Sequence, residues 1–355
     1  MNILIIRVSA IGDVIHTLPA VFLLKHSLPH ARISWVVQKK AASLIVNQPF
    51  LEQVLILPDN YLAPKNLFKT AKIIRDMRKI QWDAIIDFQG LLKTTSLLLP
   101  LKGKKYGFDW KNSREKVSSW FTHEHVTPEF SNIIQKNLAL ASLVLWDQNQ
   151  TITCPTIPLL QKDFNLQPSK DAKTSVHTWI TQYNLNHMIV LCPNTTWSSK
   201  CWPLEYWKTL IHKTLQQFPA LSLVIIGKDF GQDAAHLAQY CQEQNLNVHL
   251  APTWDLLTTT YLLTQSNVII APDTSFLHCA DFLGIASIGL FGPTSSLKHG
   301  PFLTSQNMKN VLQAPCDHFY QKTHGLDKDC MRLLTPDMVL EKITISINTR
   351  DRHQA

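Results

Sequence analysis

Long apolar runs are missing from this 355-residue chain. No run approaches the about 20 apolar residues that a membrane-spanning helix needs. The short apolar run at residues 3–6 is followed by Arg7, which is unlike the start of a signal peptide. The sequence therefore predicts a soluble protein of the cytoplasm.

Glycine is also scarce, with 11 residues in the chain. The first predicted strand-to-helix turn, at residues 9–13, contains only Gly12. It therefore matches neither the G-x-G-x-x-G fingerprint of dinucleotide-binding proteins nor a phosphate-binding P-loop. Whatever ligand this turn meets must be held in another way.

The cysteines do not form a recognisable framework. There are seven of them, an odd number without a C-x-x-C pair, which favours reduced thiols over disulfides. Cys316, His318, His324 and Cys330 together offer four zinc ligands, but their spacing matches no standard zinc site. We therefore expect a surface loop with scattered thiols and no bound metal.

Positive charge is concentrated in the first half of the chain. Residues 1–150 hold 19 Lys and Arg against 11 Asp and Glu, whereas residues 151–355 hold 15 of each. Such a domain attracts an anionic partner, such as phosphorylated lipid, a membrane surface or nucleic acid. The alternative is a solvated surface that keeps the protein soluble. Six cations between residues 60 and 80 are spaced mostly by three or four, which predicts one basic helix face. That face is either solvated surface or a contact for anionic lipid headgroups.

Strand and helix patterns alternate along the chain, and its length favours two domains. We predict an N-terminal domain at residues 1–165, a C-terminal domain at 174–330, and a terminal segment at 331–355. The proline-containing stretch at 154–173 has little periodicity and is interpreted as a linker. The terminal segment has a helical pattern after Pro336.

Residues 267–294 have the pattern of a strand, a helix and a second strand. A β-branched run ends at Pro272, apolar residues then recur at helical spacing, and the helix pattern stops at Gly284. Asp273, Thr274 and Ser275 thus lie where the strand ends and the helix begins. Free N–H groups and the helix dipole make such a turn a site for phosphate.

Asp13 occupies an equivalent position after the first strand, at the start of a helix predicted over residues 14–25. An ordinary helix-capping aspartate is the simpler interpretation. Gly12, which allows close approach of a ligand, and the parallel with Asp273 favour a functional role.

Four further groups are candidates for ligand binding. Lys93 comes after the strand at 82–88 and is a candidate anion ligand. The loop at 102–115, with Arg114, mixes basic and aromatic residues and suits a nucleic acid or an acidic glycan. Thr195, Thr196 and Lys200 follow the strand at 187–192 and suit a diphosphate without a metal, although a plain polar loop before Pro203 is the alternative. Either Asp229 or Asp233, after the next strand, is placed to bind sugar hydroxyls.

Taken in order, several segments resemble the lipopolysaccharide heptosyltransferases. They are SAIGDVIHTLPA at 9–20, DAIIDFQGLLK at 83–93, GFDW at 107–110 with SRE at 113–115, the Thr-Thr, Lys and Trp-Pro positions within 195–203, Asp-Thr with His278 from 273, and LFGPT at 290–294. The likeness is greatest to type I, the ADP-heptose:Kdo-lipid A heptosyltransferases, and extends from residue 1 to about 300.

The resemblance implies an α/β protein of the GT-B fold, with two Rossmann-like domains facing a central cleft. It implies an inverting, metal-independent glycosyltransferase without a cofactor, in the cytoplasm and peripheral to the inner membrane. Asp13 matches the catalytic base. The donor, ADP-heptose, is expected at Thr195, Thr196, Lys200, Asp273, Thr274, Ser275 and His278, and the acceptor, Kdo-lipid A, at Lys93, Gly12 and Arg114.

The resemblance also implies no role for nucleic acid, a membrane contact through the basic N-terminal domain, and a terminal helix packed back on that domain. Two positions depart from the family pattern: Ser275 stands where glycine is usual, and Trp197 where polar residues are common. Two alternatives remain at this stage. One is a related transferase with another nucleotide sugar or a protein acceptor, and the other is a non-catalytic protein that binds nucleic acid or membranes.

Overall fold

The computed structural model describes residues 1–149, 164, 166, 168–227, 232–316 and 329–354. The chain forms two compact units, Met1–Asn165 and Leu166–Ala355. Most of the stretch interpreted as a linker, together with Asp229, His318 and His324, lies outside the described residues.

The first unit contains a six-stranded parallel sheet. Its strands are Asn2–Ile6 (β1), Arg32–Gln38 (β2), Gln53–Leu57 (β3), Ala84–Asp87 (β4), Lys104–Phe108 (β5) and Glu124–Val126 (β6). The order across the sheet is β3-β2-β1-β4-β5-β6, the strand order of the Rossmann fold. The strand order reverses between β1 and β4, which is where such sheets bind ligands.

The described residues of the first unit form five helices: Ile11–Ser27 (α1), Lys39–Ala42 (α2), Leu67–Arg78 (α3), Leu92–Leu98 (α4) and Ile133–Asp147 (α5). Short 3₁₀ turns lie at Pro64–Asn66 and Lys116–Phe121. The central strands read as continuous apolar runs because helices cover both faces of a parallel sheet. In β1, for example, Ile3, Leu4, Ile5 and Ile6 are all fully buried.

One strand of this sheet differs from the sequence analysis, which interprets residues 102–115 as a loop. The structure places β5 there, paired with β4 and β6. Two lysines at its start hide the strand pattern, but Tyr106 and Phe108 are buried. Gly107 packs closely on the next segment, since an added Cβ would lie 2.8 Å from a methyl carbon of Thr122.

The second unit contains another six-stranded parallel sheet. Its strands are Met188–Leu191 (β7), Ser222–Ile225 (β8), Val248–Leu250 (β9), Val268–Pro272 (β10), Ser287–Phe291 (β11) and Val311–Gln313 (β12). The order is β12-β11-β10-β7-β8-β9. Numbered within the unit, this is the same Rossmann order, and it reverses between β7 and β10.

The helices of the second unit are Lys170–Gln182 (α6), Leu204–Gln217 (α7), Asp233–Glu243 (α8), Leu256–Thr264 (α9), Ser275–Leu283 (α10), Ser296–His299 (α11), Ser305–Lys309 (α12), Asp329–Arg332 (α13) and Pro336–Gln354 (α14). A 3₁₀ turn lies at Ser198–Lys200. Helix α10 ends at Gly284, whose left-handed conformation (φ 71°) is typical of a helix C-cap.

The C-terminal helix has a buried face in the core of the second unit. Val339 and Ile343 are fully buried there, and α14 packs against α7, β10 and β11. The preceding short helix packs in the same way: an added Cβ at Gly292 would lie 2.4 Å from the sulfur of Met331.

The thiols correct another expectation. Cys316 and Cys330, predicted to be reduced, form a disulfide with their Cα atoms 5.5 Å apart. Two sulfurs bonded to each other do not provide the two thiolates that the zinc alternative requires. The other described cysteines, at positions 192, 201, 241 and 279, are free and buried.

Candidate active site

Polar side chains collect at the two points where strand order reverses. In the first unit, Asp13 follows β1, Asp87 is the last residue of β4, and Gln89 follows β4. In the second unit, Lys200 follows β7 and Asp273 follows β10. We call these groups the Asp13 site and the Lys200 site. Carboxyl ends of parallel strands at such a position are the usual ligand-binding edge of an α/β sheet.

The Asp13 carboxylate lies between two arginines. Arg7 Nη2 is 2.9 Å from Asp13 Oδ1, and Arg114 Nη1 donates to Asp13 Oδ2 at 3.1 Å. The amide of Ala10 donates to the same Oδ2 at 3.2 Å, which satisfies a free N–H at the start of α1. Asp13 therefore caps its helix and also carries an ion-pair network, so the two interpretations of this residue are compatible.

The environment keeps Asp13 ionised. Burial alone would raise the pKa of its carboxyl, but the charges of Arg7 and Arg114 outweigh burial and hold that pKa well below the usual range. The Asp13 side chain is still partly accessible to solvent. An ionised carboxylate with an accessible face is able to accept a hydrogen bond from a hydroxyl and then take its proton.

Arg7 is held firmly from the opposite side. Its guanidinium also donates to the carbonyl oxygen of Phe88, and its own carbonyl oxygen accepts from the indole N–H of Trp35 at 3.1 Å. Only 1% of Arg7 is exposed. Burial lowers the pKa of Arg7, and the nearby Asp13 opposes that shift. The buried cation is thus compensated by the carboxylate that it orients.

Gln89 joins the loops after β1 and β4. Its side-chain oxygen accepts from the amides of Val8 and Ser9, and its nitrogen donates to the carbonyl oxygen of Ser9. These three hydrogen bonds fix the chain just before Asp13. Because the Gln89 side chain is also buried, these hydrogen bonds hold the loop before the Asp13 carboxylate in one conformation.

Asp87 lies beneath these loops. Its carboxylate accepts from the amides of Gln89 and Gly90 and from the hydroxyl of Thr94. Burial raises the pKa of Asp87 to about 6, with the hydrogen bonds and Arg7 opposing the shift. Asp87 therefore holds the turn after β4, whereas the carboxylate of Asp13 is partly accessible to solvent.

Gly90 places Arg114 beside Asp13. Its φ of +60° lies in the left-handed region, and an added Cβ would lie 3.3 Å from the amide nitrogen of Arg114. Glu115 strengthens the contact, because its amide donates to the carbonyl oxygen of Gly90 and its carboxylate accepts from the amide of Leu92. Half of the Arg114 side chain (51%) is exposed, so one face remains available to a ligand.

Two other residues predicted for the acceptor also belong to this unit. Gly12 is the second residue of α1, directly before Asp13, and is half-buried. Lys93 lies in the first turn of α4 with its side chain exposed. The structure therefore joins Arg114 and Asp13 by direct contact, whereas Lys93 stands on the neighbouring helix.

The Lys200 site is a second buried ion-pair network. Lys200 Nζ lies 2.7 Å from Asp273 Oδ2, and His278 Nε2 lies 3.1 Å from Asp273 Oδ1. Burial would raise the pKa of the Asp273 carboxyl, but the hydrogen bond from His278 and the charge of Lys200 hold it well below its usual range. Asp273 therefore orients Lys200, and the remaining N–H groups of that ammonium suit an anion.

Trp197, the first departure from the family pattern, supports this lysine. Lys200 Nζ lies 4.5 Å from the centroid of the Trp197 ring, which is a cation–π contact. Thr195 fixes the turn, because its hydroxyl donates to the carbonyl oxygen of Trp197 and accepts from the Trp197 amide. The Thr195 hydroxyl is thus engaged within its own loop, whereas Thr196 is exposed.

Ser275, the second departure, causes no backbone conflict. It is the first residue of α10, after Thr274 at the N-cap, and it is not among the residues with positive φ. Glycine is therefore not required for the conformation at this position. The N–H groups at the start of α10 follow Asp273 directly, so they belong to the Lys200 site.

Two residues of the site were missed by sequence reasoning. Arg7 was treated only as the end of an apolar run, although an arginine that interrupts a buried strand end is itself a signal of a buried charge pair. Gln89 enters the sequence analysis only as part of the segment DAIIDFQGLLK at 83–93. Asp233 begins α8 in the second unit. Among the residues that the structure describes, no three His, Cys, Asp or Glu side chains are grouped as possible metal ligands.

The chain is similar to heptosyltransferases over most of its length. The model of glycosyltransferase family 9 (heptosyltransferase) matches residues 70–328. The lipopolysaccharide heptosyltransferase 1 of Campylobacter coli is 24% identical over 314 residues, which are 86% of this chain and 88% of that protein. The protein of the same name from Escherichia coli K12 is 26% identical over 304 residues, 83% of this chain and 88% of its own.

Solved structures agree on the fold. One is E. coli heptosyltransferase WaaC with ADP-2-deoxy-2-fluoro heptose, with a TM-score of 0.74, 21% identity, and coverage of 97% of this chain and 99% of that one. Another is E. coli ADP-heptose lps heptosyltransferase II, with a TM-score of 0.74, 17% identity, and coverage of 99% and 100%. The fold is therefore GT-B with two Rossmann-like domains, as the sequence resemblance implies.

Proposed function

Because this chain belongs to glycosyltransferase family 9, the heptosyltransferases, we propose that it moves L-glycero-D-manno-heptose from ADP-heptose to a Kdo residue of the lipopolysaccharide inner core. The observation that carries the proposal is the Asp13 carboxylate, held ionised between Arg7 and Arg114 at the ligand-binding edge of the first sheet. The donor and the acceptor are supported by a related structure that holds ADP-2-deoxy-2-fluoro heptose and by relatives named lipopolysaccharide heptosyltransferase.

The donor half of the reaction belongs to the Lys200 site. ADP is a good leaving group, so its departure requires mainly that charge developing on the pyrophosphate be neutralised. Lys200, oriented by Asp273, supplies a cation for this purpose. The N–H groups at the start of α10 supply hydrogen-bond donors and the positive end of a helix dipole. These groups support a metal-independent step.

The acceptor half belongs to the Asp13 site. The acceptor hydroxyl attacks the anomeric carbon from the face opposite ADP, which inverts the configuration, and Asp13 takes its proton. A carboxylate flanked by two cations is a weak base, so the proton moves late, once bond formation has made the hydroxyl acidic. An anionic acceptor that binds the exposed face of Arg114 would draw this cation from Asp13 and strengthen the base.

The protein is further proposed to act in the cytoplasm at the surface of the inner membrane. Its acceptor is then lipid-linked, and the excess of Lys and Arg in residues 1–150 suits an anionic surface. Among the described residues, none of the helices has the length and apolar character required to cross a bilayer.

One assay tests the transfer. Purified protein is mixed with ADP-heptose and Kdo-lipid A in the presence of a chelator, and the acceptor is examined by mass spectrometry. We expect a gain of one heptose residue. Product with a different nucleotide sugar or a protein acceptor, but not with this pair, would support the related-transferase alternative. Binding of anions without any transfer, unchanged by Asp13→Ala, would support the non-catalytic alternative.

A further inference from the structure

Helix α3 and the turn before it expose apolar side chains among cations. Phe68 is 85% exposed, Leu67 is 49% exposed and Leu62 is 47% exposed. Residues 61–80 contain six cations and a single acid, Asp76. We call the exposed residues Leu62, Lys65, Leu67, Phe68, Lys72, Arg75 and Lys79 the Phe68 surface. An exposed aromatic residue in the first turn of a basic helix, flanked by exposed leucines, is uncommon on a solvated surface.

The helical repeat places these cations around Phe68. With about 3.6 residues per turn, Lys72, Arg75 and Lys79 share one side of the helix with Phe68. Lys65 lies in the 3₁₀ turn directly before the helix. The opposite side carries the buried residues Thr70 and Met77. Ile73 and Ile74 pack against the core of the first unit. The face of α3 opposite Phe68 therefore provides the contacts with the core, and Phe68 takes no part in them.

We infer that the Phe68 surface docks this protein on an anionic lipid surface. The lysines and arginines meet the negative headgroups, while Phe68, Leu67 and Leu62 enter the boundary between headgroups and acyl chains. The observation that selects a membrane over nucleic acid is the pair of exposed leucines beside Phe68. Aliphatic side chains gain free energy in lipid, whereas single-stranded nucleic acid is bound by stacked aromatic rings.

Hydrogen bonds connect helix α3, which carries the Phe68 surface, to the elements around the Asp13 site. The hydroxyl of Thr70 donates to the carbonyl oxygen of Tyr61, and the Tyr61 hydroxyl donates to the carbonyl oxygen of Lys93 at 2.7 Å. Helix α4, which carries Lys93, is capped by Glu115, the neighbour of Arg114. The surface is thus fixed to the side of the unit that is proposed to receive the acceptor. This connection, unlike the docking itself, rests on the proposed function.

Docking is tested by co-sedimentation of the full chain with vesicles, in the absence of donor and acceptor. Vesicles of phosphatidylcholine alone are compared with vesicles that also contain phosphatidylglycerol. We expect binding to the anionic vesicles only. Each cation near the surface contributes enough affinity that the double variant Lys65→Glu/Lys72→Glu should bind at least about tenfold more weakly.

Matched controls separate the surface from general charge. Lys39 and Lys40 are exposed cations of the same unit, so Lys39→Glu/Lys40→Glu makes the same change in net charge. Trp146, 72% exposed on α5, is the control for Phe68. Phe68→Ser should weaken vesicle binding and Trp146→Ser should not. The residues changed in all four variants are exposed. Thermal unfolding of each variant checks that the fold is retained.

Three results would overturn the inference: equal loss of binding in both lysine pairs, no effect of Phe68→Ser, or binding of single-stranded nucleic acid through these residues with no binding to anionic vesicles. A transfer assay tests the proposed function separately from docking.

Transfer to a water-soluble, deacylated acceptor should be unchanged by Phe68→Ser. Absence of that transfer in the unmodified protein would reject the heptosyltransferase assignment while leaving vesicle binding intact.

Discussion

Arg7 Nη2 lies 2.9 Å from Asp13 Oδ1, and this pair joins a buried cation at the end of β1 to a partly accessible carboxylate at the start of α1. Arg114 approaches the other oxygen of the same carboxylate from a half-exposed position. Arg7 is therefore a fixed, buried part of the fold, whereas the half-exposed Arg114 is accessible to a ligand.

Replacement of Asp13 by Asn should abolish most of the turnover. General-base catalysis contributes about 10²–10⁴-fold, and the amide cannot accept the proton. The Lys200 site is untouched, so the affinity for ADP should be retained. Steady-state transfer rates and calorimetric ADP titration check the two halves of this prediction. Transfer within a few-fold of the unmodified enzyme would show that Asp13 is not the base.

Replacement of Arg7 by Met should move the acidic limb of the pH–rate profile to higher pH. Without this cation, burial dominates and the pKa of Asp13 rises, so a larger fraction of the carboxyl is protonated and inactive at low pH. Arg114→Met should give a smaller shift, since Arg114 is half-exposed. Arg7→Lys should restore part of the original profile. An unchanged acidic limb in Arg7→Met would contradict the assigned role of the pair.

Replacement of Lys200 by Met should weaken donor binding. A charged hydrogen bond contributes about 1.5–3 kcal/mol, which corresponds to a loss of about 10–150-fold in affinity for ADP. Lys208→Met is the matched control, because Lys208 pairs with Glu205 on the surface of α7. ADP titration of both variants gives the comparison. Equal effects of the two substitutions would argue against a specific contact between Lys200 and the pyrophosphate.

Asp273 should stabilise the second unit in a pH-dependent way. Its folded pKa lies below the unfolded value of 3.8, so its contribution is complete above about pH 4 and is lost as the pH falls through the folded pKa. The difference in unfolding free energy between the unmodified protein and Asp273→Asn should therefore shrink by about 1.4 kcal/mol per pH unit below pH 4. Urea unfolding at several pH values measures it, with Asp59→Asn, an exposed carboxylate, as control.

Replacement of Gly90 by Ala should impair acceptor binding. The left-handed conformation costs a non-glycine residue about 1 kcal/mol, and the new Cβ presses on the amide of Arg114. We expect an increased KM for the acceptor and an unchanged KM for the donor. Gly284→Ala has the same backbone conflict at the end of α10 in the other unit and should spare the acceptor KM. A similar acceptor KM in both variants would rule out the proposed link between Gly90 and Arg114.

Much of the fold could be predicted from the sequence because parallel strands buried on both faces leave continuous apolar runs. The strands at β1, β7 and β10 are of this kind, and the βαβ unit from 267 to 294 is confirmed. Strand β5 lies between β4 and the edge strand β6. It was missed because its two lysines and a glycine conceal the strand pattern. Such a strand is defined by its neighbours rather than by its own pattern.

The site could be predicted only in part. Strand ends and helix starts are local features, so Asp13, Lys200 and Asp273 could be found from the sequence. Their partners come from distant positions: Arg114 is 101 residues from Asp13, and Asp273 is 73 residues from Lys200. The prediction that Cys316 and Cys330 are reduced was wrong for the same reason, because the sequence alone does not reveal which residues meet in the fold.

The identical strand order of the two sheets has an evolutionary consequence. Each half offers the same pair of loops at the same topological position, so divergence of their chemistry needs no change of scaffold. A carboxylate flanked by guanidinium groups in one half and an ammonium tethered to a carboxylate in the other are enough to distinguish them. Substitutions in those loops are accordingly the changes by which proteins of this architecture can acquire new donors or new acceptors while their cores stay the same.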